Sequence, residues 1–169
     1  MGYIRSVVID HLQSTLNDNT AIAWIYCNYK EKSEQTLVNL FGNLLKQLIL
    51  KRSSVPRHVR RLYEEHRKQN TRPAHSRIVK ALQSEIESYS KTFIVVDALD
   101  KCPEGSGTRL GLLEGLRSLP GNVSLMVTSL ELPGIKTESD TRLEIRATEE
   151  DVGRYVEGRI AQSIGCRDM

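Results

Sequence analysis

Several things are scarce in this chain, and each scarcity narrows its function. Cysteine occurs three times, as Cys27, Cys102 and Cys166. Three widely spaced cysteines give neither the paired spacing of a zinc site nor a disulfide framework, so they read as reduced thiols of a cytoplasmic protein. No apolar run approaches membrane-spanning length, and residues 1–16 lack the apolar core and cleavage site of a signal peptide. No charge of one sign dominates: the formal net charge is +3, a weak field for recruiting a polyanion. Low-complexity tracts, collagen-like periods and internal repeats are missing too. What remains is 169 residues, 39% hydrophobic and 27% charged, the composition of one ordinary globular domain.

The most informative stretch is Phe93-Ile94-Val95-Val96-Asp97-Ala98-Leu99-Asp100-Lys101-Cys102. Four strand-favouring apolar residues run into an acid, a second acid follows three positions later, and Pro103, Gly105 and Gly107 close the segment. A buried strand of a parallel sheet delivers a carboxylate to its C-terminal edge in this way, where open α/β sheets bind ligands. In P-loop nucleotidases an acid at this place holds the magnesium of a bound nucleotide. An apolar run plus one Asp also suits a core strand whose acid caps the next turn, so the rest of the chain must decide.

Residues 4–16 predict an amphipathic helix with Ile4, Val7, Val8, His11 and Leu12 on one side. Residues 21–29 predict an interior strand in which Trp24 and Tyr26 belong to the core. Ser33 has the makings of an N-cap for a long helix with Leu37, Leu40, Phe41, Leu44, Leu45, Leu48 and Ile49 as its stripe. Further helices are expected over 57–69 and 74–88. Residues 109–119 predict a helix with Leu110, Leu113, Leu116 and Leu119 on one face. Residues 123–129 predict another buried strand, 142–146 a short alternating one, and 148–151 the start of a last helix faced by Val152, Tyr155, Val156 and Ile160. Strands alternating with helices imply parallel strands joined by right-handed crossovers.

Between Lys51 and Lys80 ten Lys and Arg residues face only Glu64 and Glu65. With one aromatic, Tyr63, and charges spread around helical axes, this reads as a solvated helical face, and a nucleic-acid partner is disfavoured. His11, His58, His66 and His75 lack partners at metal-ligand spacing and are assigned no chemistry.

Taken together, Ala23–Lys30, Leu44–Leu48, Phe93–Cys102, Leu125–Ser129, Leu143–Ile145 and Glu150–Val156 resemble, in order and spacing, the NACHT-type domain of fungal NOD-like proteins, also described as a nephrocystin-3-like N-terminal domain. The resemblance implies a three-layer P-loop NTPase-like parallel sheet with flanking helices, spanning residues 1–169. It implies a helical excursion over about 33–88, a Walker B strand over 92–97 and a sensor-like strand over 123–129. It further implies ATP or ADP with magnesium as cofactors, Asp97 as the magnesium ligand, and Asp97, Asp100, Thr128 and Ser129 as nucleotide-site residues. Relatives of this kind sit between an effector and ankyrin or WD repeats and oligomerise as nucleotide switches.

Three parts depart from that pattern. The phosphate loop should end in Gly-Lys-Ser/Thr before the first helix, where this chain reads Met1-Gly2-Tyr3-Ile4-Arg5, so the N-terminal Walker A strand is expected to be lacking. In the relatives that strand is expected beside the Asp97 strand. The Glu after the second acid is Lys101 here, which reverses a charge beside the magnesium site, and the arginine after Thr-Ser is Leu130. The expectation is a partial, degenerate NACHT-type domain that does not hydrolyse ATP on its own. One alternative is a fragment of an active ATP- or GTP-dependent switch with its phosphate loop upstream. Another is an interaction module that binds itself or full-length relatives and modulates their oligomerisation.

Overall fold

The computed structural model describes residues 2–130 apart from 16, 18, 32 and 106, together with 141, 143, 144, 148–150 and 153–157. The chain divides into two units, Met1–Pro133 and Gly134–Met169. In the second, 149–150 and 153–157 are helical, Arg154 pairs with Glu150 one turn earlier, and Tyr155 and Val156 are exposed. Most of the 142–146 strand, Val152 and Ile160 lie outside the described residues.

The first unit is α/β, with a three-stranded parallel sheet in the order β1-β2-β3 flanked by helices. The strands are β1 (Thr20–Tyr26), β2 (Lys91–Asp97) and β3 (Val123–Val127). The helices are α1 (Gly2–Thr15), α2 (Leu37–Leu50), α3 (Arg57–Lys68), α4 (His75–Ile86) and α5 (Thr108–Arg117). The Asp97 strand has a parallel neighbour on each side, so a further strand could join only at an outer edge of the sheet.

Helix α1 turns Val8 and Leu12 of the expected stripe inward but adds Ile9 and turns Val7 and His11 out. Ile9 is buried with Ile22 and Val95, and Val8, Leu12, Trp24, Phe93 and Met126 pack around them, whereas Val7 and His11 face solvent. The sheet contacts α1 along a stripe rotated by one residue, which an apolar count alone does not distinguish. Trp24 is half-buried as expected, but Tyr26, at the end of β1, is 51% exposed.

Helix α2 is the central packing element. It buries Leu40, Phe41, Leu44, Leu45 and Leu48 and packs against β1, α4 and α5. Its cap is Thr36, whose hydroxyl accepts from the Asn39 N–H at 3.2 Å. Ser33 stands in a turn, because Tyr29–Glu31 form a short 3-10 turn that delays the helix. Gln47 on α2 meets the outer edge of β1: its amide accepts from the Trp24 N–H at 3.0 Å and donates to the Trp24 carbonyl at 2.7 Å. One side-chain amide thus satisfies both Trp24 backbone groups, which point away from β2. Helix α5 buries Leu112, Leu113 and Leu116 and leaves the expected Leu110 exposed. Gly111 and Gly115 let it lie close to α2, since a Cβ at 115 would overlap the Phe41 ring.

β3, expected to be buried, is not. Its burial falls off along the strand, with Leu125 38% and Val127 36% exposed. An apolar run marks strand propensity but does not reveal whether a neighbour covers it.

Candidate functional site

The C-terminal edge of the sheet gathers the expected residues. Asp97 ends β2 opposite Tyr26, and its carbonyl accepts from the Cys27 N–H at 3.0 Å. Ala98 then takes a left-handed conformation (φ 57°, ψ 50°), which is costly for a residue with a Cβ and is held by its surroundings. Its N–H donates to Thr128 Oγ1 at 3.0 Å, and the Leu99 N–H donates to the Thr128 carbonyl at 2.9 Å. The chain then turns through a short 3-10 segment, Leu99–Lys101.

Asp97 is buried, 2% exposed. The Thr128 hydroxyl donates to its Oδ1 at 2.5 Å, whereas its buried Oδ2 has no hydrogen-bond partner. A buried carboxylate oxygen without a donor needs an explanation, and a cation is one that fits. The fit extends to one ligand: among the described residues no group of three or more His, Cys, Asp or Glu side chains could hold a metal by itself.

Asp100 is occupied differently. Lys101 Nζ lies 2.7 Å from its Oδ2, and the Leu130 N–H donates to its Oδ1 at 3.2 Å. Burial pushes the Asp100 carboxyl up, but the Lys101 hydrogen bond, the Leu130 N–H and the ammonium charge together hold it below its ordinary value. Lys101 is therefore a counter-ion to Asp100 rather than only a positive charge near Asp97. A depressed folded-state value adds stability that is complete above the ordinary carboxylate value of 3.8 and is lost as pH falls below it. Lys101 is partly exposed, so Lys101→Met should cost about 0.5–1 kcal/mol at pH 6. In urea titrations the gap between variant and wild type should narrow as pH falls below 3.8; a gap that stays constant through that fall would exclude the pair as its source.

Thr128 is joined to Asp97 through this hydroxyl. Ser129 is exposed, and among the described residues it hydrogen-bonds to neither carboxylate. Residues 2–5, where the phosphate loop was sought, form the first turn of α1.

A family model described as nephrocystin 3, N-terminal, matches residues 3–129. The chain belongs to the nephrocystin 3 N-terminal family. No curated protein and no solved structure matches it.

Two further features of this family member were not visible in its sequence. Arg109, the second residue of α5, donates from Nη2 to the carbonyls of Asp100 (3.0 Å) and Cys102 (2.9 Å) and so clamps the turn after Asp97. Nothing in the local pattern distinguishes it from a surface arginine. Cys27 and Cys102, both buried, hydrogen-bond side chain to side chain. That bond, then burial, then the nearby negative charges push the Cys27 thiol up. The same bond, against burial and with Arg109, brings Cys102 down.

Proposed function

We propose that this chain is a NACHT-type nucleotide-responsive domain that takes a magnesium nucleotide at the Asp97 edge and does not hydrolyse ATP by itself. The observation that carries this reading is the divergence of the two acids: neither Oδ2 has a well-directed hydrogen bond, but that of Asp100 lies 2.7 Å from the Lys101 ammonium and its Oδ1 accepts from Leu130, whereas Asp97 Oδ2 meets no cation among the described residues. Magnesium retains several waters and takes one or two carboxylates plus phosphate oxygens, so one carboxylate oxygen meets the protein's share. Asp97 would hold the ion and Thr128 would fix which oxygen is offered. The ion, when bound, would neutralise phosphate charge. Ser129 offers an exposed hydroxyl next to Thr128. Hydrolysis also needs a group that orients water and one that stabilises the departing phosphate; Lys101 and Leu130 stand where the resemblance would have a Glu and an Arg.

Thermal denaturation with magnesium and ATP or ADP tests this. Saturating ligand at about one hundred times its Kd raises stability by about 2.7 kcal/mol, or roughly 5–10 °C for a chain of this size. The rise should require magnesium, vanish in Asp97→Ala and grow in Lys101→Glu, with no ATP turnover. No shift at millimolar nucleotide would end the binding claim, and turnover abolished by Asp97→Ala would end the claim of inactivity.

β3 favours a second reading, an interaction module that associates with itself or with full-length relatives. Gln47 on α2 satisfies the Trp24 backbone groups at the outer edge of β1, whereas β3 presents partly exposed Leu125 and Val127. Among the described residues no strand lies beyond β3, and edge strands of this kind pair readily unless protected. Sedimentation should show concentration-dependent association that Leu125→Lys reduces; a strictly monomeric chain that ignores a full-length relative would dismiss this reading.

A further inference from the structure

We propose that the outer face of α3, which carries Arg57, Arg60, Arg67 and Lys68 beside Tyr63, docks on the surface of a bilayer that contains anionic lipid. The helix is anchored on one side: Leu62 is its one buried residue, and Val59, Glu65 and His66 are partly covered. At 100° per residue the four cations fall within about 100° of arc, opposite Leu62, along a rise of about 17 Å. All four residues are exposed. Among the described residues none of the four has an ion pair. Of the two acids on α3, Glu65 is taken by Arg61 at 2.8 Å and Arg77 at 2.6 Å, and Glu64, exposed, stands in the middle of the cationic arc. The charges that spacing alone spreads around the axis are gathered on the solvent side by the burial of Leu62.

The low net charge of the chain does not weigh against such a face. Between residues 57 and 77 seven Lys and Arg stand against two acids, whereas the whole chain has 24 against 21. The rest of the chain therefore holds more acids than cations, and the small total conceals one locally positive surface.

Two further exposed side chains choose among polyanions. Tyr63 is 62% exposed and borders the cationic arc, and Val55, two residues before α3, is 47% exposed. A ring with a hydroxyl suits the headgroup level of a bilayer, and a valine adds apolar area there. A nucleic-acid duplex offers phosphates and base edges, which leave that valine uncovered. A groove also suits this helix poorly, because its crest would carry the Glu64 carboxylate between two phosphate strands. On a bilayer the lipids are mobile, so the four cations collect anionic headgroups and Glu64 lowers the attraction without blocking contact. Each Lys or Arg near such a surface strengthens binding about fivefold, and the attraction is screened by salt.

Co-sedimentation of the full chain with phosphatidylcholine vesicles that contain about one-third phosphatidylserine tests this. The chain should pellet with them, stay in solution with phosphatidylcholine alone, and be released as salt rises from about 0.1 M to about 0.5 M. Arg60→Ala combined with Arg67→Ala should weaken binding about thirtyfold, whereas Glu64→Gln should strengthen it about fivefold. Lys30→Ala combined with Lys46→Ala removes as much charge from exposed sites outside α3 and should change binding less than about threefold. Failure to bind at low salt, equal binding to neutral vesicles, or equal losses in the two double variants would each overturn the proposal. So would tighter binding to duplex DNA or to poly-glutamate at equal negative charge. The gain expected for Glu64→Gln decides even if the arginine pair fails to fold, and its absence would also overturn the proposal.

Discussion

Arg52→Met should destabilise the chain by about 3 kcal/mol, clearly more than Glu85→Leu, although the two residues form one ion pair. The asymmetry comes from burial. The Glu85 side chain is 1% exposed, while that of Arg52 is 31% exposed. Arg52 donates to Glu85 and to the Ser88 hydroxyl, and its guanidinium lies 4.7 Å from the Tyr89 ring centre. Beyond Arg52, the imidazole of His58 also approaches the carboxylate, with Nε2 at 3.8 Å. Removing the arginine leaves a buried carboxylate with that distant partner alone. Removing the glutamate frees a guanidinium that can turn to water, and leucine fills apolar space between α4 and α2. The double variant should return to within about 1 kcal/mol of wild type, since exchanging both members for apolar groups is often neutral. Urea denaturation midpoints measure all three. Equal losses for the two single variants would mean that Glu85 reaches solvent or another donor and that the pair is not asymmetric.

The basic segment that contains Arg52 shows what a sequence can and cannot supply. Its charges between 51 and 80 looked like one solvated face, and several do pair at the surface, as in Arg61–Glu65 at 2.8 Å and Arg77–Glu65 at 2.6 Å. Arg52 differs because α4 returns Glu85 to it from 33 residues away, a relation that no local pattern encodes. Element types were legible wherever apolar spacing was long and regular, as in α2 and β2. Boundaries and faces were less so: the start of α2 depends on the turn at Tyr29–Glu31, and the inward stripe of α1 depends on where the sheet lies. At the candidate site the acids announced themselves through the run from Phe93 to Asp97. The charge reversal at Lys101 was equally plain, but that it would neutralise Asp100 and leave Asp97 alone required the turn geometry set by Ala98 and Arg109.

Thr128→Val should cost about 2–3 kcal/mol, while Thr128→Ser should cost less than about 1 kcal/mol, because the hydroxyl rather than the methyl carries the interaction. Valine keeps the shape of threonine and the backbone bonds of residue 128 to Val96 and Leu99. It deletes the donor to Asp97 Oδ1 and the acceptor for the Ala98 N–H. Oδ2 already has no partner, so the variant leaves a buried carboxylate with neither oxygen satisfied, beside a left-handed residue that has lost one of its restraints. Asp97→Asn removes the charge that makes this expensive. A double-mutant cycle between the two positions should therefore give a coupling of about 1 kcal/mol or more. Coupling near zero would place the Thr128 hydroxyl outside the support of Asp97. The cycle also separates stability from function. If Thr128 serves to aim Oδ2, Thr128→Val should lose the magnesium-dependent nucleotide shift at temperatures where the variant is still folded, whereas Thr128→Ser should keep it. A Thr128→Val chain that is less stable yet shifts with magnesium nucleotide as the wild type does would confine the residue to a structural role.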